Sequence, residues 1–436
     1  MPLFGRKKSK PAAPPEEEDD QQSVLFKGAV SGVETDLSEH AKLVRVGLPR
    51  AKSLVSDALA RRAEKIRLDP KDKAAQIGMY VDGMPFSGGR VSVQEAMAIT
   101  QILKLLAGLD PKDRTRPLRG GINAEFDEQD YEIGIETRPL RTGGERLTIR
   151  LENAKTRIES PTDAGFPDAL REKIRELSAA KSGLLLIAGP PDSGVTTTSL
   201  AVLRSIDAYL FNIFNVADLG GREIIHIANF RGEEGDSLEQ LLARTIRKEA
   251  DVAYVDPIDE ESATVVSEAA EEMCLVGEMA AAGAAAAVIQ FGEWVGSPAK
   301  ATESIRGVFS PKLIRKLCTN CREAYRPNPK LLAKVGLPPE TTALYRQPKQ
   351  IDEETGKPVP VACNVCGGLG YYGRTVMVEL IEMTDAMKEV VADGGSVADI
   401  KNVAKEAGML THRSEGVRLV AEGITSLEEL QRAFSK

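Results

Sequence analysis

The chain has 436 residues, of which 42% are hydrophobic and 28% are charged, and its formal net charge is −8. This composition is typical of a globular protein, and at about 150 residues per domain the length predicts two or three domains. The acidic balance argues against a nucleic-acid partner, because proteins that bind nucleic acid present a basic face, and none is visible in the sequence.

Neither a membrane span nor a targeting segment is predicted. A bilayer span needs about 18 apolar residues, and the nearest candidate, residues 279–291, is shorter and interrupted by Gly283. The basic cluster in the first ten residues is not followed by an apolar stretch, so it does not predict a signal peptide. We therefore expect a cytoplasmic protein without a transmembrane segment.

Residues 1–35 predict a disordered arm, because a basic cluster is followed by Pro-rich and then acidic sequence. An alternative is an anchor for a membrane-embedded or acidic partner, although three basic residues attract a membrane only weakly. Residues 36–155 predict an α+β domain, in which residues 93–106 have helical periodicity and residues 131–137 and 147–151 alternate as strands.

Residues 156–436 predict a second, α/β unit. Apolar runs at 184–188, 224–228 and 252–255 have the composition of strands in a parallel sheet that is covered by helices on both faces. Helical patterns are predicted at 167–179 and 199–210. A cysteine-bearing subdomain at 310–375 and C-terminal helices at 376–436 are predicted to complete the unit.

The stretch from Gly189 to Thr198 has the spacing of a phosphate-binding loop, G-x-x-x-x-G-K-[ST], between a strand-like and a helix-like run. In that motif backbone amides surround the phosphates, the Lys contacts the β- and γ-phosphates and the hydroxyl binds Mg²⁺. Here Val195 stands at the lysine position. Amides at a helix N-terminus can still bind phosphate. The candidate nucleotide-binding residues are Gly189, Ser193, Gly194, Thr196 and Thr197.

Two further residues of this loop weaken phosphate binding. Asp192 adds a carboxylate that repels phosphate, and Pro191 lacks a backbone N–H. Both act in the same direction as Val195, which leaves the phosphate charge to backbone dipoles and Mg²⁺.

Four of the five cysteines form two C-x-x-C pairs, a spacing that lets both sulfurs of a pair face one ion. Four thiolates fit a closed, structural Zn²⁺ site, whereas disulfides are disfavoured in a reducing cytoplasm. The fifth, Cys274, is interpreted as a buried apolar residue. The predicted zinc ligands are Cys318, Cys321, Cys363 and Cys366.

Several stretches resemble the hexameric ATPases of type II secretion and type IV pilus assembly. The resemblance covers nearly the whole chain after the arm, and the tetracysteine module is its most specific part. The matching stretches are residues 58–70, 81–83, 107–110, 116–121, 143–151, 312–321 and 363–375.

The resemblance implies a RecA-like P-loop NTPase domain, a tetracysteine zinc subdomain and a hexameric ring. It also implies an inner-membrane platform protein as a partner, a location on the cytoplasmic side of that membrane, and membership of the assembly or secretion branch. The cofactors implied are structural zinc and ATP with Mg²⁺.

At the other catalytic positions of the family, this chain has lost charge. The strand that ends in the family's G-E-I-R-D places Pro257 at the Glu, which leaves Asp256 as the weak catalytic candidate. The earlier acidic box aligns with Ala217 and Asp218. The two histidines of the family's histidine box align with Cys274 and Ala281.

These losses favour a pseudo-ATPase with a structural or regulatory role, because phosphoryl transfer depends on positioned charge. One alternative is a working motor in which a relocated residue such as Lys181 or Arg150 reaches the phosphates. Another is a regulatory module that joins an active paralogue in a mixed ring.

Overall fold

The computed structural model describes residues 23–71, 73–141, 143–156, 160–217, 224, 227–230, 232–233, 235–351, 356 and 358–435. The predicted α/β fold class is confirmed. The chain divides into two compact units, Met1–Val81 with Pro85–Lys155 and Asp82–Met84 with Thr156–Lys436.

The first unit contains a seven-stranded sheet in the order β1-β5-β6-β7-β2-β3-β4. The pairs β1–β5, β5–β6, β6–β7, β7–β2 and β2–β3 are antiparallel. Burial alternates along β6 and β7, so one face of the sheet lies against a core. The strands are β1 (Leu25–Ala29), β2 (Lys65–Pro70), β3 (Ala74–Val81), β4 (Met84–Ser92), β5 (Leu118–Phe126), β6 (Gln129–Pro139) and β7 (Glu145–Asn153).

Two long helices belong to this unit, α1 (Ala41–Ala60) and α2 (Val93–Leu106), together with 3-10 turns at Leu37–His40 and Ala154–Thr156. The predicted helix at 93–106 is confirmed. It begins at a capping box, in which the Ser92 side chain accepts from the Glu95 amide and the Glu95 carboxylate accepts from the Ser92 amide.

The prediction of a disordered arm over residues 1–35 is wrong for its second part. Residues 25–29 form β1, which pairs with β5, and Val24 is completely buried. The pairing partner lies about 95 residues further along the chain, so local composition does not reveal it. Residues 1–22 lie outside the described residues.

The second unit is built on a sheet in the order β10-β9-β11-β12-β8-β13-β18. All neighbours are parallel except β13 and β18, which are antiparallel. Its strands are β8 (Gly183–Gly189), β9 (Ile213–Asn215), β10 (Ala228–Asn229), β11 (Val252–Ile258), β12 (Cys274–Ala280), β13 (Ile305–Leu317) and β18 (Tyr371–Glu382). Between the last two lie the short strands β14 (Glu323–Tyr325), β15 (Leu344–Arg346), β16 (Gln350–Ile351) and β17 (Pro358–Val359).

Helices cover both faces of this sheet. They are α3 (Pro161–Ala164), α4 (Asp168–Ser178), α5 (Val195–Ser205), α6 (Leu238–Arg247), α7 (Ala263–Glu272), α8 (Ala284–Val295), α9 (Pro298–Ser304), α10 (Pro329–Val335), α11 (Asp385–Ala392), α12 (Val397–Glu406), α13 (His412–Ala421) and α14 (Leu427–Phe434).

The central strand β8 is buried along its whole length. Leu184, Leu186 and Ala188 contact one apolar core, which includes residues of α7 and α8, whereas Leu185 and Ile187 contact the core on the opposite face, which includes residues of α4 and α5. This two-sided burial explains the continuous apolar run in the sequence. Among the described residues, no helix is long and apolar enough to cross a membrane.

Several boundaries differ from the predictions. The helix expected at 199–210 ends at Ser205, and within the run 224–228 only residue 228 forms a strand among the described residues. Residues 310–317 and 371–375 belong to the main sheet rather than to the cysteine subdomain, and residues 376–382 continue β18 instead of starting the C-terminal helices. The β-branched pattern of β18 is compatible with either state, and its pairing with β13 decides it.

Candidate functional site

A tight loop joins the carboxyl end of β8 to the amino end of α5. Gly194, the residue before the helix, has φ of 97°, a left-handed conformation that glycine adopts without steric cost. A Cβ on Gly189 would lie 2.5 Å from Ser193 Oγ. The backbone conformation of the loop therefore favours glycine at 194, and the close approach of the Ser193 side chain favours it at 189.

The loop presents backbone amides at a helix N-terminus. The first helical hydrogen bond runs from the Thr198 N–H to the Gly194 carbonyl over 2.9 Å. The amides of Val195, Thr196 and Thr197 thus precede the hydrogen-bond ladder of the helix, the arrangement that binds phosphate in P-loop proteins. The five predicted nucleotide-binding residues lie together in this one loop, and their role stays a prediction.

The charge of the loop is opposite to that of a working P-loop. Residues 189–198 include neither Lys nor Arg. The Val195 side chain packs, with Leu313, against an apolar core. Asp192 is exposed and has φ of 64°, so a carboxylate occupies a backbone conformation that suits glycine. The loop itself supplies a negative side chain and no positive one.

Thr196, in the first turn of α5, contacts the carboxyl group of Glu278, a residue that the sequence did not mark as functional. The Thr196 hydroxyl donates to Glu278 Oε2 over 2.9 Å, and the Tyr254 hydroxyl donates to Glu278 Oε1. Glu278 lies on β12, next to β8 and opposite Ile187, and is only 6% exposed. A buried network therefore links the loop to β11 through Glu278.

The environment of Glu278 shifts the pKa of its carboxyl group upward. Burial, and then the nearby negative charge of Asp256, raises the pKa of Glu278, against the hydroxyls of Tyr254, Thr196 and Ser199, which lower it. Asp256, the catalytic candidate, thus lies close enough to Glu278 to affect its titration. The structure brings this predicted residue to the same region as Thr196.

Neither of the two histidine positions of the family pattern carries a titrating group suited to the reaction. Ala281, at a histidine position, lies beside the start of the loop, where its N–H donates to the Gly189 carbonyl over 3.3 Å. Cys274, at the other, is completely buried, and burial raises the pKa of its thiol to about 12. Asp218 of the acidic box lies outside the described residues.

Lys181, named in the alternative of a working motor, does not reach the loop of its own chain. Lys181 precedes β8, and its Nζ lies 2.8 Å from Oδ1 of Asp251, which precedes β11. This ion pair lies at the amino ends of parallel strands, whereas the loop follows the carboxyl end of β8, about 20 Å away for a seven-residue strand. Arg150 lies on β7 of the first unit.

The four predicted zinc ligands come together in the second unit, between β13 and β18. The sulfurs of Cys318 and Cys363 are 3.9 Å apart, those of Cys321 and Cys366 are 3.7 Å apart, and all four lie within 4.8 Å of one another. A tetrahedral zinc with bonds of about 2.3 Å requires sulfur–sulfur edges of about 3.8 Å. The donor set and its spacing therefore fit a closed Zn²⁺ site.

Amide donors support this cluster. The pKa of the Cys363 thiol is lowered to about 6, mainly because the backbone N–H of Cys366 donates to its sulfur. The side-chain amide of Asn320 makes the second-largest contribution. Asn320 Nδ2 lies 3.4 Å from the Cys363 sulfur, and the Gly370 N–H donates to the Cys366 sulfur over 3.2 Å. Such donors favour a thiolate and orient it for a metal.

Comparison with known proteins places these features in a family. A model of the type II/IV secretion system protein family matches residues 41–432. The chain belongs to this family. The predicted resemblance is therefore confirmed, and the loop and the cysteine cluster both lie inside the matched region.

Individual relatives carry names from two machines of this family. The chain is 27% identical over 411 residues to the type IV pilus assembly ATPase PilB of Thermus thermophilus, covering 92% of this chain and 43% of that protein. It is 26% identical over 395 residues to the PilB of Myxococcus xanthus, covering 86% and 66%. It is also 26% identical over 389 residues to the type II secretion system protein E of Pseudomonas aeruginosa, covering 87% and 74%. The chain thus spans about half to two thirds of the length of its pilus relatives.

Solved structures support the fold. The ATPase DotB of Legionella pneumophila superposes with a TM-score of 0.50 over 87% of this chain and 93% of its own, at 13% identity. At this identity the likeness concerns the fold alone, and it agrees with a RecA-like sheet.

Sequence reasoning missed Glu278 and Tyr254. One signal was available, because a Glu inside the otherwise apolar strand 274–280 is unusual for a strand with helices on both sides. Tyr254 carries no such signal, since a tyrosine in an apolar strand is an ordinary core residue.

Proposed function

We propose that this protein is a non-hydrolysing subunit of a type II secretion or type IV pilus assembly machine. It keeps the fold of the motor ATPases and the frame of their nucleotide loop. The observation that carries the proposal is the loop itself, in which Val195 stands at the lysine position and Asp192 adds a carboxylate.

The loss of charge is consistent across the site. A lysine that contacts the β- and γ-phosphates stabilises the charge of the transferring group, and its loss alone costs orders of magnitude in rate. Pro257 and Ala281 stand where the family has a glutamate and a histidine. A change at one position could be compensated, whereas changes at several positions point to lost turnover.

The cysteine cluster is proposed to hold a structural zinc ion, with Cys318, Cys321, Cys363 and Cys366 as its ligands. A closed tetrahedral site supplies folding energy and no open position for a substrate. Its role is to hold the segment between β13 and β18, whose described residues form short strands and one short helix.

Assembly and location are proposed from the family. The subunit would join a six-membered ring, formed either by identical copies or together with an active paralogue. It would contact the inner-membrane platform protein from the cytoplasmic side. A non-hydrolysing subunit in a mixed ring would change the coupling of its active neighbours without performing a reaction itself.

The test compares the native protein with a Val195→Lys, Asp192→Gly double variant, by equilibrium ATP binding and by phosphate release. Two unit charges 4 Å apart interact with an energy of about 4 kcal/mol at an effective dielectric constant of 20. We therefore expect the variant to bind ATP at least about a hundredfold more tightly. No turnover is expected from the native protein. Steady phosphate release by the native protein, abolished by Asp256→Asn, would instead establish a working motor.

A further inference from the structure

The four sulfurs of the cysteine cluster come from two short segments that are far apart in the chain. Residues 318–321, the first knuckle, directly follow β13, and residues 363–366, the second knuckle, precede β18. Cys318 and Cys363 are 45 positions apart. A metal that closes such a loop binds more tightly when the protein has already brought the two knuckles together, because less chain entropy is then lost on binding.

A backbone contact joins the two knuckles where they meet the main sheet. The end of β13 pairs with the start of β18, and the Cys318 N–H donates to the Gly370 carbonyl over 3.0 Å. This base contact adjoins the first cysteine of the first knuckle and follows the last cysteine of the second. Cys363 lies further from it along the chain than Cys366, so its position depends on other groups.

Asn320 supplies a side-chain contact from the first knuckle to the second. Its Nδ2 lies 3.4 Å from the sulfur of Cys363, across 43 positions of the chain. The backbone N–H groups of Cys366 and Val365 also donate to this sulfur, but they belong to the second knuckle and shape it without attaching it to the first. Among the N–H donors that the structure describes at this sulfur, Asn320 is the one that joins the two knuckles.

The chemistry of the contact suits a sulfur in a charged cluster. Four thiolates around one Zn²⁺ carry a net negative charge, and an N–H that donates to a sulfur stabilises that charge. The amide of Asn320 donates such an N–H. A carboxylate of nearly the same size at this position would accept instead of donating, and would repel the thiolate.

We propose that Asn320 is the positioning residue of the cysteine cluster, whose amide holds the Cys363 sulfur against the first knuckle before the metal binds. The inference rests on the zinc site of the proposed function. It adds that the second knuckle is already in place in the metal-free protein. Groups that orient a metal ligand in this way typically change the metal affinity about 10- to 100-fold.

The first experiment measures the zinc affinity of the full-length protein by competition with a chromogenic chelator. Asn320→Ala should lower this affinity at least about tenfold. Asn320→Asp should lower it further, because its carboxylate repels the Cys363 thiolate, whereas a residue that matters only for folding predicts equal losses in the two variants. Asn364→Ala is the matched control, since it removes an exposed asparagine of the second knuckle, and it should leave the affinity unchanged.

Two further measurements separate positioning from folding and from loss of a ligand. In metal-free protein, hydrogen exchange of residues 363–366 should be faster in Asn320→Ala than in the native chain, because the contact acts before the metal binds. At saturating Co²⁺, the visible spectrum of every variant should remain that of a four-thiolate site. Asn320 is exposed, so its substitution leaves the apolar cores intact, which circular dichroism checks.

Three results would overturn the proposal: an unchanged zinc affinity in Asn320→Ala, equal affinities in Asn320→Ala and Asn320→Asp, or equal exchange of residues 363–366 in metal-free native and Asn320→Ala protein. Each of these leaves the zinc site of the proposed function standing. A native protein that binds no zinc would contradict that site itself, so the two failures are distinguishable.

Discussion

The substitution Glu429→Ala is expected to detach the last helix from the main sheet. Glu429 lies in the first turn of α14, and its side chain is completely buried. Its carboxylate accepts from Arg315 Nη2 over 2.6 Å and from Arg432 over 2.6 and 2.7 Å. The Arg315 backbone N–H adds a fourth contact of 3.2 Å, so one carboxylate joins α14 to β13.

The size of the effect follows from the exposure of the partners. Removing one member of a buried ion pair costs about 3–5 kcal/mol, because the remaining charge is left without a partner. The side chain of Arg315 is 17% exposed and that of Arg432 is 32% exposed, so both regain some hydration. We therefore expect Glu429→Ala to lower the free energy of unfolding of the second unit by about 3 kcal/mol, and Glu429→Gln by about 1–2 kcal/mol.

Urea denaturation followed by circular dichroism measures this loss, and hydrogen exchange of residues 427–434 localises it. The matched control is Glu428→Ala at the neighbouring position, whose side chain is 51% exposed and lies 3.8 Å from Lys349, and which should cost less than about 0.5 kcal/mol. A loss below about 1 kcal/mol in Glu429→Ala, or equal losses in the two variants, would refute the reasoning.

The pH dependence supplies an independent check. Burial alone would raise the pKa of Glu429, but its hydrogen bonds with Arg432 and Arg315 outweigh burial and hold the pKa below its ordinary value. A depressed native pKa contributes stability above the unfolded value, which is lost as the pH falls through the native value. The native protein should lose this contribution below about pH 4.5, whereas Glu429→Ala has none to lose.

Three further predictions concern the site. Because the pKa of Glu278 is raised in the native state, the native protein binds more protons than the unfolded chain once the pH exceeds the unfolded pKa of about 4.5. The free energy of unfolding should therefore fall as the pH rises above this value. Glu278→Gln should reduce this pH dependence, as measured by denaturation at pH 5 and pH 8. Cys366→Ser should reduce the zinc content, measured by elemental analysis, from one ion per chain to none. It should also make residues 318–370 accessible to limited proteolysis. An unchanged zinc content in this variant would contradict the assigned ligands. Gly194→Ala should destabilise the second unit by about 1–2 kcal/mol because of its φ of 97°, and thermal unfolding equal to that of the native protein would show that the loop adapts.

Local patterns predicted the parts of the structure that depend on neighbours in the chain. The periodicity of residues 93–106 predicted α2, and the apolar run at 184–188 predicted the strand before the loop. The C-x-x-C spacing predicted a four-cysteine cluster, which the structure forms. In each case the determining contacts lie within a few residues, or the residue type allows few alternatives.

The remaining features depend on contacts that are distant in sequence. β1 is a strand because it pairs with β5, and residues 376–382 are a strand because they pair with β13. The contact of Glu278 with Thr196 joins positions 82 residues apart, through the order of strands in the sheet. Lys181 lies only eight residues before Gly189, yet the strand between them places it at the opposite edge of the sheet.

The strand β13 connects the two chemically distinctive parts of the second unit. Its first residues pair with β8, Leu313 lies against Gly194, and its last residue, Leu317, is followed directly by Cys318. The first cysteine lies five positions after Leu313, a span of about 17 Å in extended chain. Pairing with β18 along nearly its whole length holds this segment in an extended conformation. The spacing between the loop and the cysteine cluster is therefore set by a hydrogen-bonded strand pair.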